Sequence, residues 1–206
     1  MLTENAASYS EMTPHLAIEI LKEGNKRFAD KKMLERDLPT EVKLTSNGQH
    51  PFAVVLNCMD SRVPAELIFD QGIGDIFNTR IAGNIINDDI IGSMEFACKI
   101  AGAKLIIVLG HTSCGAVKGA CDRVKLGKLT GLLKKLEPAI ITTITPKGTD
   151  RSSENNEFVN RVAQKNVELT IENIKNQSPV LNMMIENHEI KLVGAIYDIS
   201  NGVVEF

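Results

Sequence analysis

Two short runs, Phe52-Ala53-Val54-Val55-Leu56 and Leu105-Ile106-Ile107-Val108-Leu109, are apolar at every position. An alternating run describes a strand with one wet face, whereas a continuous run of this length describes a strand covered on both faces, as in a parallel sheet between layers of helices. Parallel strands need long crossovers, and helical periodicity lies between and beyond the two runs. Ile76–Ile81 reads as a further strand stopped by Ala82-Gly83-Asn84, followed by a helix over 90–100 through Ile91, Met94, Phe96 and Ala97. Helices are predicted over 113–124, over 126–140 with a stripe of Leu126, Leu129, Leu132, Leu133 and Leu136, over 154–175, and from Ser178-Pro179 to about His188. Lys191–Ile196 and Val203–Phe206 flank Ser200-Asn201-Gly202, a hairpin signal that makes the last strand antiparallel. The expectation is an α/β fold with a central, mostly parallel four-stranded sheet, an antiparallel C-terminal edge strand and flanking helices.

Thr13-Pro14 supplies an N-cap and a first-turn proline for an amphipathic helix over 14–29, and residues 30–50 read as a polar connector carrying Pro39 and Ser46-Asn47-Gly48. Residues 1–50 are therefore read as an N-terminal helical arm and connector within a single domain spanning 1–206, a length that one domain accommodates.

A net charge of −3 gives no general attraction to phosphate backbones or anionic lipid, so no nucleic-acid or membrane partner is expected. The basic residues Lys118, Arg123, Lys125, Lys128, Lys134 and Lys135 fall around the leucine stripe and read as the solvated face of a packed helix. No stretch is long and apolar enough to span a bilayer, and MLTENAASYS lacks the basic start and apolar region of a secretory leader, which places the chain in the cytoplasm. In a reducing compartment, Cys58, Cys98, Cys114 and Cys121 are better explained by metal binding or burial than by disulfides. Aromatic residues make up only 4%, with no Trp, which disfavours a stacking platform.

Ligand sites in open parallel sheets lie beyond the carboxyl ends of the strands. That rule brings Cys58, just past the first apolar run, next to His111 at the end of the other, and His111-Thr112-Ser113-Cys114 adds a thiol about one helical turn later. Two thiolates and an imidazole are donors that zinc accepts in tetrahedral geometry, and three protein ligands leave a fourth position for water, the arrangement of a catalytic site. Spacing alone leaves open a closed site with a fourth donor. Cys98 fits an apolar core and Cys121 lies two turns too far, so Asp60 is the serious competitor. Cys58-Met59-Asp60-Ser61-Arg62 places a carboxylate and a guanidinium beside the first thiol. Asp60 would orient a hydroxide on the metal while Arg62 holds the carboxylate off it, or the two form an ordinary loop ion pair.

Taken together, Cys58-Met59-Asp60-Ser61-Arg62-Val63, Arg80-Ile81-Ala82-Gly83-Asn84 and Gly110-His111-Thr112-Ser113-Cys114-Gly115 closely resemble the β-class carbonic anhydrases, with support from residues 21–28 and Gly194-Ala195-Ile196-Tyr197-Asp198. The resemblance implies one Zn2+ per subunit on Cys58, His111 and Cys114, an Asp60 and Arg62 dyad, and reversible hydration of carbon dioxide to bicarbonate and a proton by zinc-bound hydroxide. Gln49 stands nine residues before the first cysteine, as in plant-like members, Phe77 matches their pocket phenylalanine, Phe96 replaces their pocket tyrosine, and Gly115 follows the last ligand. Ile81 and Val63 complete the expected apolar walls. Val55 occupies the place of the tryptophan that bicarbonate-regulated bacterial members carry, so their switch is not expected. His15, His50 and His188 read as surface residues, with His50 nearest the pocket mouth for proton relay. Family members form dimers with exchanged N-terminal helices and interface pockets, so a homodimer or a dimer of dimers (homotetramer) is implied. Two rivals are carried: hydrolysis of carbon disulfide or carbonyl sulfide, and a non-catalytic zinc-stabilised structural or regulatory module with Asp60 as fourth ligand.

Overall fold

The computed structural model describes residues 11–206, so the reading of MLTENAASYS lies outside the described residues. Five strands form one sheet: β1 (Ala53–Asn57), β2 (Ile76–Arg80), β3 (Leu105–His111), β4 (Lys191–Tyr197) and β5 (Val204–Glu205). Their order is β2-β1-β3-β4-β5, with the first four parallel and β5 antiparallel to β4. The expected fold class is the observed one. Every residue of β1 and β3 is buried, which is why both strands stay apolar up to the buried Asn57 and His111 at their carboxyl ends.

The helices are α1 (Pro14–Ala29), α2 (Leu38–Thr45), α3 (Ala65–Ile68), α4 (Asp88–Glu95), α5 (Gly115–Cys121), α6 (Gly127–Lys134), α7 (Glu137–Thr142), α8 (Asn156–Gln177) and α9 (Pro179–Glu186). Thr13 caps α1 through its hydroxyl, which accepts the Leu16 N–H at 3.1 Å, and Pro14 occupies the first turn. Ala17, Ile18 and Leu21 of α1 pack on Ala53, Val55, Leu105, Ile107 and Leu109, so the arm covers one face of its own sheet. Asn25 fastens the contact, donating to the carbonyls of Ile68 and Gly202 and accepting the Val204 N–H. The opposite face, Val54, Leu56, Ile106 and Val108, is covered by Met94, by Ala97 and Cys98, and by residues of α8 and α9.

Several local expectations are corrected. The polar connector contains α2, started by Asp37, whose carboxylate accepts the Thr40 N–H at 3.2 Å. The helix expected over 126–140 breaks at Lys135-Leu136 because Pro138 opens a new helix, and Leu126 precedes the first of the two at 67% exposure instead of joining the buried stripe. The helix expected over 90–100 starts at Asp88 and ends in a wider π turn over Phe96–Ile100. Among the described residues, no helix is long and apolar enough to cross a membrane.

Candidate metal centre

The chain winds from β1 outward to β2, then crosses back so that β3 lies on the other side of β1. The reversal opens a crevice at the carboxyl ends of β1 and β3, the place where such sheets bind ligands. Register pairs Asn57 with Leu109, so Cys58 leaves β1 level with Gly110 while His111 still belongs to β3. Gly110 is required there by close approach: a Cβ would stand 2.7 Å from Val167 Cγ2 and 2.8 Å from Ile196 Cδ1, so its absence lets α8 settle on the sheet beside the crevice. After His111, Ser113 adopts a φ of 53°, a turn held by the Asn160 side chain, which accepts the Ser113 N–H at 2.8 Å. Cys114 then stands at the start of α5.

The donor atoms of Cys58, His111 and Cys114 lie within 4.8 Å of one another, and all three residues are buried. The two sulfurs are 3.9 Å apart. Sulfurs bonded at about 2.3 Å to one tetrahedral zinc stand about 3.8 Å apart, so the spacing fits. His111 Nδ1 donates to the Thr112 carbonyl at 2.9 Å, which leaves the Nε2 lone pair for a metal, and Nε2 is buried with no hydrogen-bond partner. An orphaned buried acceptor facing two thiols is what a cation would satisfy. The electrostatics agree: the hydrogen bond from Cys114 is the main cause that draws the Cys58 thiol down to about 4, while the same bond, with burial, pushes Cys114 above the ordinary thiol range. The Cys58 proton is already lost at neutral pH, and the one still held between the two sulfurs, on Cys114, is the proton a divalent metal displaces.

Asp60 lies beside the cluster, with Oδ2 4.0 Å from His111 Nε2. Arg62 grips it with two parallel bonds, Nε to Oδ1 at 2.9 Å and a terminal nitrogen to Oδ2 at 2.7 Å, and the Arg62 backbone N–H adds a third to Oδ1 at 3.0 Å. Those bonds from Arg62 hold the Asp60 carboxyl well below the usual carboxylate range. The loop is also anchored from β2, where the Arg80 guanidinium donates to the carbonyls of Cys58 and Asp60. Asn57, fully buried, donates to the Val63 carbonyl at 2.6 Å and closes the loop from the other end. Neither Arg80 nor Asn57 is marked as a support by sequence spacing, because carbonyl acceptors leave no residue-type signature.

The expected pocket residues divide. Phe77 and Phe96 meet edge to face with ring centroids 6.3 Å apart and line a cavity of about 540 Å³ with Asn78, Thr79 and Asp88, apart from the three metal-type residues. Phe96 is 52% exposed. Gly115 is exposed, and a Cβ there would meet open space. Gln49 is exposed on the segment leading to β1, beside His50, and His15 and His188 are exposed as expected. Val63 is a correction: it is fully buried in the core beneath α1 and cannot wall a substrate pocket. Cys98 is core, its thiol pushed up to about 12 by burial, and Cys121 is half-buried behind the site.

A family model described as carbonic anhydrase matches residues 53–204. Carbonic anhydrase 2 of Mycobacterium tuberculosis is 34% identical over 191 residues, covering 92% of this chain and 90% of that protein. A β-carbonic anhydrase of Aspergillus fumigatus superposes with a TM-score of 0.73 at 27% identity, covering 93% of this chain and 88% of that one. A tetrameric β-carbonic anhydrase of Sordaria macrospora gives 0.70 at 25% identity, covering 93% and 94%. A parallel sheet that gathers Cys58, His111 and Cys114 at its switch point, with this likeness along nearly the whole chain, makes the protein a member of the β-class carbonic anhydrase family.

Proposed function

We propose that this carbonic anhydrase holds one zinc ion per subunit on Cys58, His111 and Cys114, and that Asp60 and Arg62 orient the oxygen that attacks carbon dioxide. The observation that carries the reading is the convergence of two thiols and an orphaned imidazole nitrogen beside an Arg-clamped carboxylate. Zinc, when bound, lowers the pKa of coordinated water from about 15.7 to about 7, so hydroxide is available at neutral pH. The chain does the rest. His111 is fixed by its Nδ1–H bond in the tautomer that presents Nε2. Asp60 is ionised and can only accept hydrogen bonds, so it accepts one from the attacking oxygen, which keeps its hydrogen and has a lone pair turned toward the carbon. Arg62 occupies both carboxylate oxygens, which opposes their use as a fourth metal ligand and speaks against the structural or regulatory module. Carbon dioxide has no charge or strong donor to grip, so the exposed Phe96 ring and Phe77 suit it, and Gln49 is proposed as the pocket's polar group by its resemblance to the plant-like members.

That aromatic cavity includes none of the three metal-type residues within one chain. A homodimer, in which one copy's Phe77 and Phe96 face the metal centre of the other, completes the pocket, and the tetrameric Sordaria relative supports pairing again into a dimer of dimers. A cytoplasmic location belongs to the same reading, since all four cysteines are free and two must stay reduced to serve as donors.

The test is the Asp60→Ala variant, assayed for zinc content and by stopped-flow carbon dioxide hydration. The expected result is nearly full zinc with turnover lowered by about 100-fold. Unchanged hydration would remove Asp60 from the mechanism. Running the same protein on carbon disulfide and carbonyl sulfide separates the hydrolase reading from hydration.

A further inference from the structure

Beyond the three side chains, the backbone amide of Gly83 points at the site. Gly83 N–H donates to Cys58 Sγ at 3.4 Å, a normal length for a bond to sulfur. The amide can do so because Gly83 sits at a φ of 70°, in the left-handed region, inside the tight turn Ala82–Asn84 that follows β2. Space is also tight: a Cβ would lie 3.1 Å from Leu136 Cδ1 and 3.4 Å from the Ala116 methyl. The turn is held at three points. Ile81 N–H donates to the Asn57 carbonyl at 3.1 Å, Asn84 N–H donates to the Ile81 carbonyl at 2.9 Å, and Asn166 Nδ2 reaches across from α8 to the Gly83 carbonyl at 2.9 Å.

Asn166 is 4% exposed and stands between Ala163 and Val167, both buried in α8. An amide in that setting is costly unless it is bonded, and its bond goes to the carbonyl of Gly83, the residue whose N–H reaches the Cys58 sulfur. We infer that Asn166 is a positioning residue for the metal centre, holding Gly83 by its carbonyl in the turn so that its N–H stays bonded to the Cys58 thiolate. The proposal rests on the assignment of Cys58 as a metal ligand and adds to it a support from α8, through a bond between residues 83 positions apart in sequence. The bond withdraws charge from the sulfur and fixes its lone pairs. Its loss leaves a more strongly donating but less well-oriented thiolate, and partners of this kind change metal affinity by about 10-fold to 100-fold.

The experiment uses the full chain loaded with cobalt or cadmium. In cobalt-substituted Asn166→Asp and Asn166→Ala variants, the thiolate-to-cobalt charge-transfer band is expected to move to longer wavelength. Zinc dissociation constants from competition with a chromophoric chelator should rise by about 10-fold or more. A lowered melting temperature with an unmoved band would make Asn166 a packing residue and overturn the proposal. Should both variants fail to fold, the wild type decides: in the cadmium-113 protein, the Gly83 amide proton should couple to the metal through the Cys58 sulfur. Absence of that coupling overturns the inference, whereas absence of any metal-bound Cys58 sulfur overturns the metal-site assignment instead.

Discussion

Arg62 reaches Asp60 with two side-chain nitrogens and a backbone N–H, and the geometry of that grip determines what each group can do. Because the folded carboxyl lies below its unfolded value of about 3.9, the pair's contribution to stability is complete above that value and is lost as pH falls through the folded one. Arg62 is 53% exposed, so the contribution is small, and the consequence is chemical: Asp60 stays ionised throughout pH 6 to 9. Any inflection in hydration across that range therefore belongs to another group, and Asp60→Asn should lower the plateau without moving the inflection, measured as kcat/KM against pH. Arg62→Lys keeps the charge but loses the paired geometry, and a fall in kcat of about 10-fold with zinc retained is the expected outcome. At this scale the sequence was informative because chemistry is carried by residue types: cysteine, histidine, aspartate and arginine at strand ends are visible in a string of letters. The supports were not visible. Arg80, Asn57 and Asn166 bond to backbone carbonyls, and which carbonyl lies within reach is decided only by packing.

At the scale of the element, continuous apolar runs revealed β1 and β3, and capping residues revealed the starts of α1 and α9. Ser178 is an example: its hydroxyl accepts the Leu181 N–H at 3.1 Å to cap α9 and donates to Glu95 Oε1 at 2.6 Å, tying α9 to α4. Ser178→Ala should cost about 1 to 2 kcal/mol in chemical denaturation, since a buried cap and a bond to a carboxylate are lost together. The helix α2 escaped notice although Asp37 and Pro39 form an ordinary start signal, because the eight residues are short and mostly solvated, with Glu41 the buried one. Gly110 also acquires its meaning only with α8 in place. Gly110→Val would drive side-chain atoms into Val167 and Ile196 and tilt the helix that carries Asn166, and a loss of about 1 to 3 kcal/mol is expected by the same measurement.

For the whole molecule, three packed regions converge on one crevice: the core beneath α1, the core beneath α8 and α9, and a third cluster that includes Cys58 and Cys114 themselves. On the proposed assignment two of the metal donors are core residues, which couples metal binding to folding. Removing zinc with a chelator should lower the melting temperature, and readdition should restore it. The dimer reading makes its own demand: Phe96→Glu, at an exposed aromatic ring, should reduce the assembled species in sedimentation velocity and depress hydration in parallel. The central claim, that Cys58, His111 and Cys114 together hold one zinc, is tested most directly by zinc analysis and zinc K-edge X-ray absorption on the purified protein. The account predicts one zinc per chain with two sulfur neighbours at about 2.3 Å and lighter atoms completing a four-coordinate shell. Protein purified without stoichiometric zinc, or zinc bonded to fewer than two sulfurs, would contradict it.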